Sequence, residues 1–425
     1  MSGKSFWGFI KDPLYGYIRL TDVERSVVDT LAVQRLRRIR QLAGAEYVYP
    51  AANHTRFEHV LGAMYLAGVV CENLPVDLSP DEKQEVRLAA LLHDVGHAPF
   101  SHLFEPLLLK YLGKNHEDMS MSIIAESTLA EVIRSLGFDP KELSELAVGK
   151  PSGSVKPYLG QIISGSFDVD KMDFVVRDSY HTGAGYGAVD VFRLIYTMDV
   201  LDGNLAVDIT ALPTLESLIL ARFESFRAIY FHRACRGVQL MLLRALDAAK
   251  DDLQILESKT PDEYLEWDDY TVWSKLRNNP RSAEIIRDIS ARKLLKCVYE
   301  KTFYAKDEVV SSAFTNENVR LKLEEEIATK AKIASADVGI DVPSLPSVPY
   351  HYAMYVGPVE IPLFSKNRSG EKMPQKIGEL SKVVDVLQGY MNIIRVYTKD
   401  RYRDQVSKAA ERVLGESPLS NVLSY

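Results

Sequence analysis

Apolar residues recur at helical spacing from about Asp22 to about Lys330, so that successive segments each carry one apolar face. Thr55-Arg56-Phe57-Glu58 has the T-x-x-E form of a capping box and predicts a helix running to about Asn73. Pro80 to Asp94 predicts the next helix, ended by Gly96 and then Pro99, because proline disfavours helical geometry in the residue before it. A further helix is expected from about Asp170, broken between Gly183 and Gly187. Leu212 to Lys250 reads as one or two long helices of good helix formers, and Pro261 to Lys330 as charged amphipathic helices. After about Ala334 the pattern changes. ADVGIDVPSLPSVPYHYAMYVGPVEIPLF alternates apolar residues among Pro and Gly, and NRSGEKMPQ reads as a turn or loop. NIIRVYTK reads as a strand and RYRDQVSKAAERVLG as a closing helix. The expected architecture is mainly α: a helical core over residues 1–330 and a small C-terminal α+β lobe over residues 331–425.

Composition adds limits. At 46% hydrophobic and 26% charged residues the chain has the make-up of an ordinary globular protein. No run approaches the length a membrane span needs, and MSGKSFWGFIKDP has no signal-peptide character. Three cysteines, Cys71, Cys235 and Cys297, are far apart and form no CxxC pair, which fits a reducing cytoplasm. A net charge of −7 argues against a generic nucleic-acid binder. Arginines are nevertheless bunched, as Arg35, Arg37, Arg38 and Arg40 and again as Arg222, Arg227, Arg233 and Arg236. Such clusters are either solvated helix faces or bidentate anion sites.

The chemistry concentrates between residues 54 and 116, which hold six of the nine histidines: His54, His59, His93, His97, His102 and His116. In LLHDVGHAPFSHLFE the pair His93-Asp94 follows an apolar run that belongs in a core. An ionised carboxylate buried there costs several kcal/mol, on the order of ~3 or more, unless it is paired or binds a metal. Imidazole nitrogen with carboxylate oxygen suits a divalent cation: Mn, Fe, Mg, Zn, Co or Ni. His59, just after the capping box, and Asp170, in FDVDKMD, are the further ligand candidates. Asp170 also reads as an N-cap, with Asp173 as its acidic partner one turn on. Asp173 and Arg177 are spaced as a solvated i,i+4 pair without function.

HTRFEHVLGAMYLAG, LLHDVGHAPFSHLFE, NHEDMS and FDVDKMDFVVRD, in this order, resemble the HD-domain phosphohydrolases. The likeness is to their deoxynucleoside triphosphate triphosphohydrolase branch, the dGTPase-like and SAMHD-type enzymes. It spans roughly residues 8–250, from IKDPLYGYIRL onward. It implies an HD-domain helical core in which His59, His93, Asp94 and Asp170 hold the metal. It places His97, His102 and His116 as catalytic histidines, with His102 against the leaving oxygen or α-phosphate, and gives Glu117 the task of orienting His116 or a water. Arg56, Lys171 and Arg222 match phosphate contacts. Gln41 and Leu42 match residues beside the ribose, Asp178 a carboxylate for the 3′-hydroxyl, and Tyr230 a ring that excludes a 2′-hydroxyl. Phe174 stands where the family often has Tyr, which removes a polar sugar contact. Asp29, Gln34 and Arg37 align with a segment that binds an activating nucleotide between subunits in some members, so the resemblance also implies a homo-oligomer, dimer or tetramer.

Three functions follow as expectations. The first is a metal-dependent enzyme that cleaves deoxynucleoside triphosphates to nucleoside and triphosphate. The second is an HD phosphohydrolase for another nucleotide or phosphate ester. His93-Asp94-Val95-Gly96-His97 differs from the H-D-x-x-E-D of alarmone hydrolases and the H-D-x-G-K of cyclic-dinucleotide hydrolases. The third is a non-catalytic nucleotide sensor on the same fold, against which the full set of histidines argues.

Overall fold

The computed structural model describes residues 6–151, 156–305, 317–346, 361–387 and 390–416. Its first element is an antiparallel hairpin of β1 (Phe6–Asp12) and β2 (Gly16–Thr21). Asp12 closes the turn, its Oδ1 accepting the backbone N–H groups of Leu14 and Tyr15 at 2.8 and 2.9 Å. Helix α1 (Arg56–Asn73) starts on the capping box of Thr55 and Glu58 that the sequence announces. Helix α2 (Pro80–Leu92) starts on a second, Ser79 with Glu82. Proline at the first helical position of α2 has no N–H to leave unsatisfied.

The short helix α3 (Glu105–Leu112) leads into α4 (His116–Glu126), and α5 (Val169–Thr182) packs against α1. The N-cap of α5 is Asp168, whose Oδ1 accepts the Lys171 N–H at 2.7 Å, so Asp170 is released from the capping reading. The stretch 212–250 is two helices, α6 (Leu212–Ser225) and α7 (Arg233–Ala249), joined through a wide π-helical turn over Phe226–Tyr230. Helix α8 (Asp269–Asn278) lies beyond them. One large apolar cluster fills the space between these helices, with Val60, Met64, Leu88, Leu91, Ile123 and Met172 among its closed-off members. Among the described residues no helix is long and apolar enough to cross a membrane.

Strands enter where helix was expected. Met198–Leu201 and Asn204–Asp208 form the hairpin β3–β4. Lys296–Ala305, read as part of a charged helical stretch, is strand β5 and pairs along its length with the later strand Tyr390–Thr398. Its partner lies far off in sequence, so no local pattern announces the pairing. Helix α9 (Glu317–Ala331) follows, then β6 (Val338–Asp341) and β7 (Ser344–Pro346) from the alternating Pro-rich stretch. Residues 347–360 of that stretch lie outside the described residues. β8 (Leu363–Lys366) and β9 (Lys372–Gln375) flank the NRSG turn, and β8 runs parallel to β4. The expected strand is β10 (Tyr390–Thr398), which pairs antiparallel with β5, β6 and β7, and the closing helix is α10 (Arg403–Leu414). Tyr299, Ile327, Ile340, Val396 and Val406 make the core of this sheet-and-helix lobe, which therefore draws on residues from β5 onward.

Two glycines set how closely the central helices approach. A Cβ on Gly96 would meet the backbone of α4 at His116 O and Ser120 N. The turn after α2 can therefore lie backbone to backbone against α4, and Ser120 locks it by accepting the Gly96 N–H at 2.9 Å and donating to His93 O at 2.8 Å. This close docking ends α2 at Leu92, two residues short of the expected Asp94, and leaves His93 and Asp94 just past the helix end. A Cβ on Gly62 in α1 would overlap Asp173 Oδ1 and Arg177 Nη2 on α5. Gly62→Ala is predicted to lower stability by about 1–3 kcal/mol through overpacking. Urea denaturation measures it, and an unchanged midpoint would contradict the close approach.

Candidate metal centre and the side chains around it

Three distant segments converge on one point. His59 comes from the first turn of α1, His93 and Asp94 from the end of α2, and Asp170 from the first turn of α5. The ligand atoms of His59, His93 and Asp170 all lie within 4.8 Å of one another. His59 Nε2 is 3.3 Å from His93 Nε2 and 3.1 Å from Asp170 Oδ1. Asp94 completes the group, with Oδ1 3.3 Å from His93 Nε2 and Oδ2 3.6 Å from His59 Nε2. The other ring nitrogens are already occupied. His93 Nδ1 donates to Ala90 O at 2.8 Å, and His59 Nδ1 pairs with Asp173 Oδ2 at 2.8 Å. Both Nε2 atoms are thereby turned inward as candidate ligands, the arrangement by which an outer partner can fix a metal-binding tautomer.

The electrostatics favour a cation. Burial opposes charge on His59, yet its bonds to Asp170 and Asp173 outweigh burial and raise its pKa to about 10. Burial likewise opposes charge on His93, and Asp94 and Asp170 raise it. Burial would raise both carboxyls, but Arg56 and the histidines hold Asp94, and His59 and His93 hold Asp170, well below the usual carboxylate range. The centre thus calls for positive charge, which ring protons or a divalent cation can supply, and a cation entering it releases protons.

A second histidine group adjoins the first through Asp94, whose Oδ1 is 3.3 Å from His97 Nε2. His97 stacks on His116 with centroids 4.2 Å apart, and His102 stands edge-on to His97 at 4.7 Å. Glu105 braces two of the rings: Oε2 takes His102 Nδ1 at 3.0 Å and Oε1 takes His116 Nδ1 at 2.7 Å. Burial and the nearby Arg56 guanidinium push His97 well below the usual histidine range, so its ring is neutral at physiological pH. Arg56 pairs through Nη1 with Asp94 Oδ2, and its Nε donates to Ser101 Oγ at 3.0 Å. Phe100 and Ser101 both hold φ of 60°, a left-handed turn that costs non-glycine residues about 1–3 kcal/mol each. The Phe100 N–H donates to Asp269 Oδ1 at 2.7 Å and so ties that turn to α8. On the other side of the centre, Asp178 follows Asp170 on α5 and accepts the Tyr230 hydroxyl. Phe174 lies between them on the same helix, its ring 6.5 Å from that of Tyr230.

All four candidate ligands, His59, His93, Asp94 and Asp170, fall inside a segment that matches a known family. Residues 56–173 match the HD domain, and residues 189–419 match an HD-associated region. The chain belongs to the HD-domain phosphohydrolase family. A protein of Methanocaldococcus jannaschii, MJ1154, is 30% identical over 80% of this chain and 70% of its own length. The deoxynucleoside triphosphate triphosphohydrolase SAMHD1 homolog of Dictyostelium discoideum is 31% identical over 68% of this chain and 60% of its own. The crystal structure of an Aquifex aeolicus protein superposes with a TM-score of 0.75 at 28% identity, covering 95% of this chain and all of that one.

Within this HD-domain chain one expected contact is not formed. Glu117 does not hold His116. It pairs with Lys150 at 2.9 Å, and Glu105 takes the place beside the ring. Lys171 is turned to Asp168 Oδ2 and Gly165 O at 2.6 and 2.9 Å, at the near end of α5. Arg222 lies over the Phe226 ring at 5.2 Å. Gln41 donates its N–H to His54 O at 3.1 Å, its Oε1 is buried with no hydrogen-bond partner among the described residues, and Leu42 packs beside Ala45 and Cys235. Arg37 stacks on Phe57 at 3.5 Å and donates to Gln34 at 2.8 Å, while Asp29 pairs with Arg25 at 3.4 Å.

The clearest correction concerns Asp173 and Arg177, read as a solvated pair. Both are fully buried. Arg177 Nε donates to Asp173 Oδ2 at 2.8 Å and Arg177 Nη1 to Asp12 Oδ2 at 2.9 Å, so an ionic chain runs from the hairpin to His59. The missed signal was Gly62, which leaves space on α1 for that pair. Asp173→Ala is predicted to weaken Mn(II) affinity about 10–100-fold, measured by competition with a chromogenic chelator; unchanged affinity would contradict the role. In the parent chain, Mn(II) affinity is predicted to rise with pH through the neutral range. His59, with its pKa raised to about 10, exchanges a proton for the cation. A flat pH profile in the same titration would count against that exchange.

Proposed function

We propose that the chain is a metal-dependent hydrolase of deoxynucleoside triphosphates, releasing nucleoside and inorganic triphosphate. The observation that carries this reading is the line of groups along one face of α5. Asp170 faces the candidate metal centre, Phe174 follows one turn on, and Asp178 with Tyr230 lies one turn further. That order suits a phosphate at one end and a sugar at the other. The activity named for the Dictyostelium relative is of the same kind.

His59, His93, Asp94 and Asp170 would hold a divalent cation, which would supply Lewis acidity for a phosphoryl oxygen and for activating a water. The chain's own groups do the rest. Arg56 is fixed by Asp94 and Ser101 at the edge of the centre and contacts the α-phosphate. His102 lines the open side, 65% exposed, with Glu105 accepting from its Nδ1, so its outward Nε2 lone pair takes up a proton from water and passes it to the departing oxygen. His97 and His116 stack behind it. Lys171 leaves Asp168 and Gly165 to meet the phosphate tail together with Arg222. Gln41 and Leu42 border the ribose, Asp178 accepts the 3′-hydroxyl, and the Tyr230 ring fills the place a 2′-hydroxyl would need. Asp29, Gln34 and Arg37 form a surface cluster suited to an activating nucleotide at a subunit boundary in a homo-oligomer.

A second reading, hydrolysis of another nucleotide or phosphate ester, is favoured by Phe174, which brings no hydroxyl to the sugar. One product screen separates the two. The protein is incubated with Mn(II) or Mg(II) and each common nucleotide, with and without dGTP or GTP as activator. The expected products from deoxynucleoside triphosphates are nucleoside and triphosphate, lost in Asp94→Ala by more than about 100-fold. Monophosphate products, or none, would overturn the proposal.

A further inference from the structure

The account above leaves one buried histidine without a task. His54 is 2% exposed and precedes the capping box of α1, in a segment held by Gln41 and by the Arg40–Thr55 bridge. Its Nε2 lies 2.7 Å from Asp178 Oδ1. A carboxylate accepts there, so the ring carries its proton on Nε2. The ring stacks nearly parallel on His181, centroids 4.3 Å apart and planes 9° apart, and His181 Nε2 lies 3.3 Å from Glu58 Oε2. The second oxygen of Asp178 accepts the Tyr230 hydroxyl. Asp178 is thus a buried carboxylate gripped at both oxygens, by a donor from the segment before α1 and by a donor from the turn between α6 and α7. Of its roughly four lone-pair positions two are filled, and the grip fixes the direction of the others.

We propose that His54 is a positioning residue that orients Asp178 to accept a sugar 3′-hydroxyl, and so sets the preference for substrates that carry it. The inference rests on the reading of Asp178 given above. Without the His54 N–H, the carboxylate keeps only Tyr230 and turns toward it, and the acceptor direction offered to the sugar is lost. A histidine that merely filled the core would leave no such trace, because its loss would weaken every substrate alike.

The test compares kcat/KM for a 2′-deoxynucleoside triphosphate with that for its 2′,3′-dideoxy analogue, using the full chain with bound Mn(II). His54→Phe keeps a flat ring against His181 and removes the donor. His54→Gln offers an amide N–H at a similar reach. The parent is expected to favour the hydroxyl-bearing substrate. In His54→Phe that ratio falls roughly tenfold, through a higher KM for the hydroxyl-bearing substrate with the dideoxy analogue unmoved. His54→Gln recovers most of the ratio, and Mn(II) content stays at the parent level in both variants. An equal fall for both substrates, or an unchanged ratio, overturns the role of His54 while leaving the sugar site in place. A parent that turns over both substrates equally, or neither, removes the sugar site itself and this inference with it.

Discussion

The buried chain Asp12–Arg177–Asp173–His59 is the constraint on which the centre depends. Each member is closed off from solvent, and each charge is answered by the next at 2.8 or 2.9 Å. Breaking such a chain by removing one partner costs about 3–5 kcal/mol, because it leaves an uncompensated buried charge. The arrangement therefore permits few alternatives. With Nδ1 of His59 committed to Asp173, Nε2 has one direction left to point, toward His93, Asp94 and Asp170. The hairpin that supplies Asp12 and the glycine that lets α1 approach α5 thus act on the chemistry without touching it.

The same economy governs Asp94. Its carboxylate serves Arg56 on Oδ2 and faces both His93 and His97 with Oδ1. It joins the candidate metal centre to the histidine group braced by Glu105, so the two groups share one electrostatic environment. Negative charge on Asp94 and Asp170 favours a cation on one side, and burial with the Arg56 guanidinium keeps His97 neutral on the other. A polarising centre beside neutral imidazole is the division that hydrolysis of an anionic phosphate requires.

Much of this was legible in the sequence, and what was not has a physical cause. Capping boxes and the clustering of histidines are local, so α1, the body of α2 and the candidate pair His93-Asp94 could be read directly, while the resemblance carried the roles of His97, His102 and His116. The turn residues Phe100 and Ser101 and the brace Glu105 depend on contacts with α8 and α4, which no short window contains. Asp173 and Arg177 have the same i,i+4 spacing whether solvated or buried. Only the absence of a side chain at Gly62, more than a hundred residues earlier, decides between the two. Strand β5 was hidden in the same way, since its partner β10 lies far along the chain.

The central claim is that His59, His93, Asp94 and Asp170 close on a single divalent cation. Crystals grown with Mn(II) and measured at the manganese absorption edge test it most directly. The account predicts one strong anomalous peak per chain at roughly 2.0–2.3 Å from His59 Nε2, His93 Nε2 and one oxygen each of Asp94 and Asp170. A peak held elsewhere, or no peak while these four side chains keep their places, would contradict it.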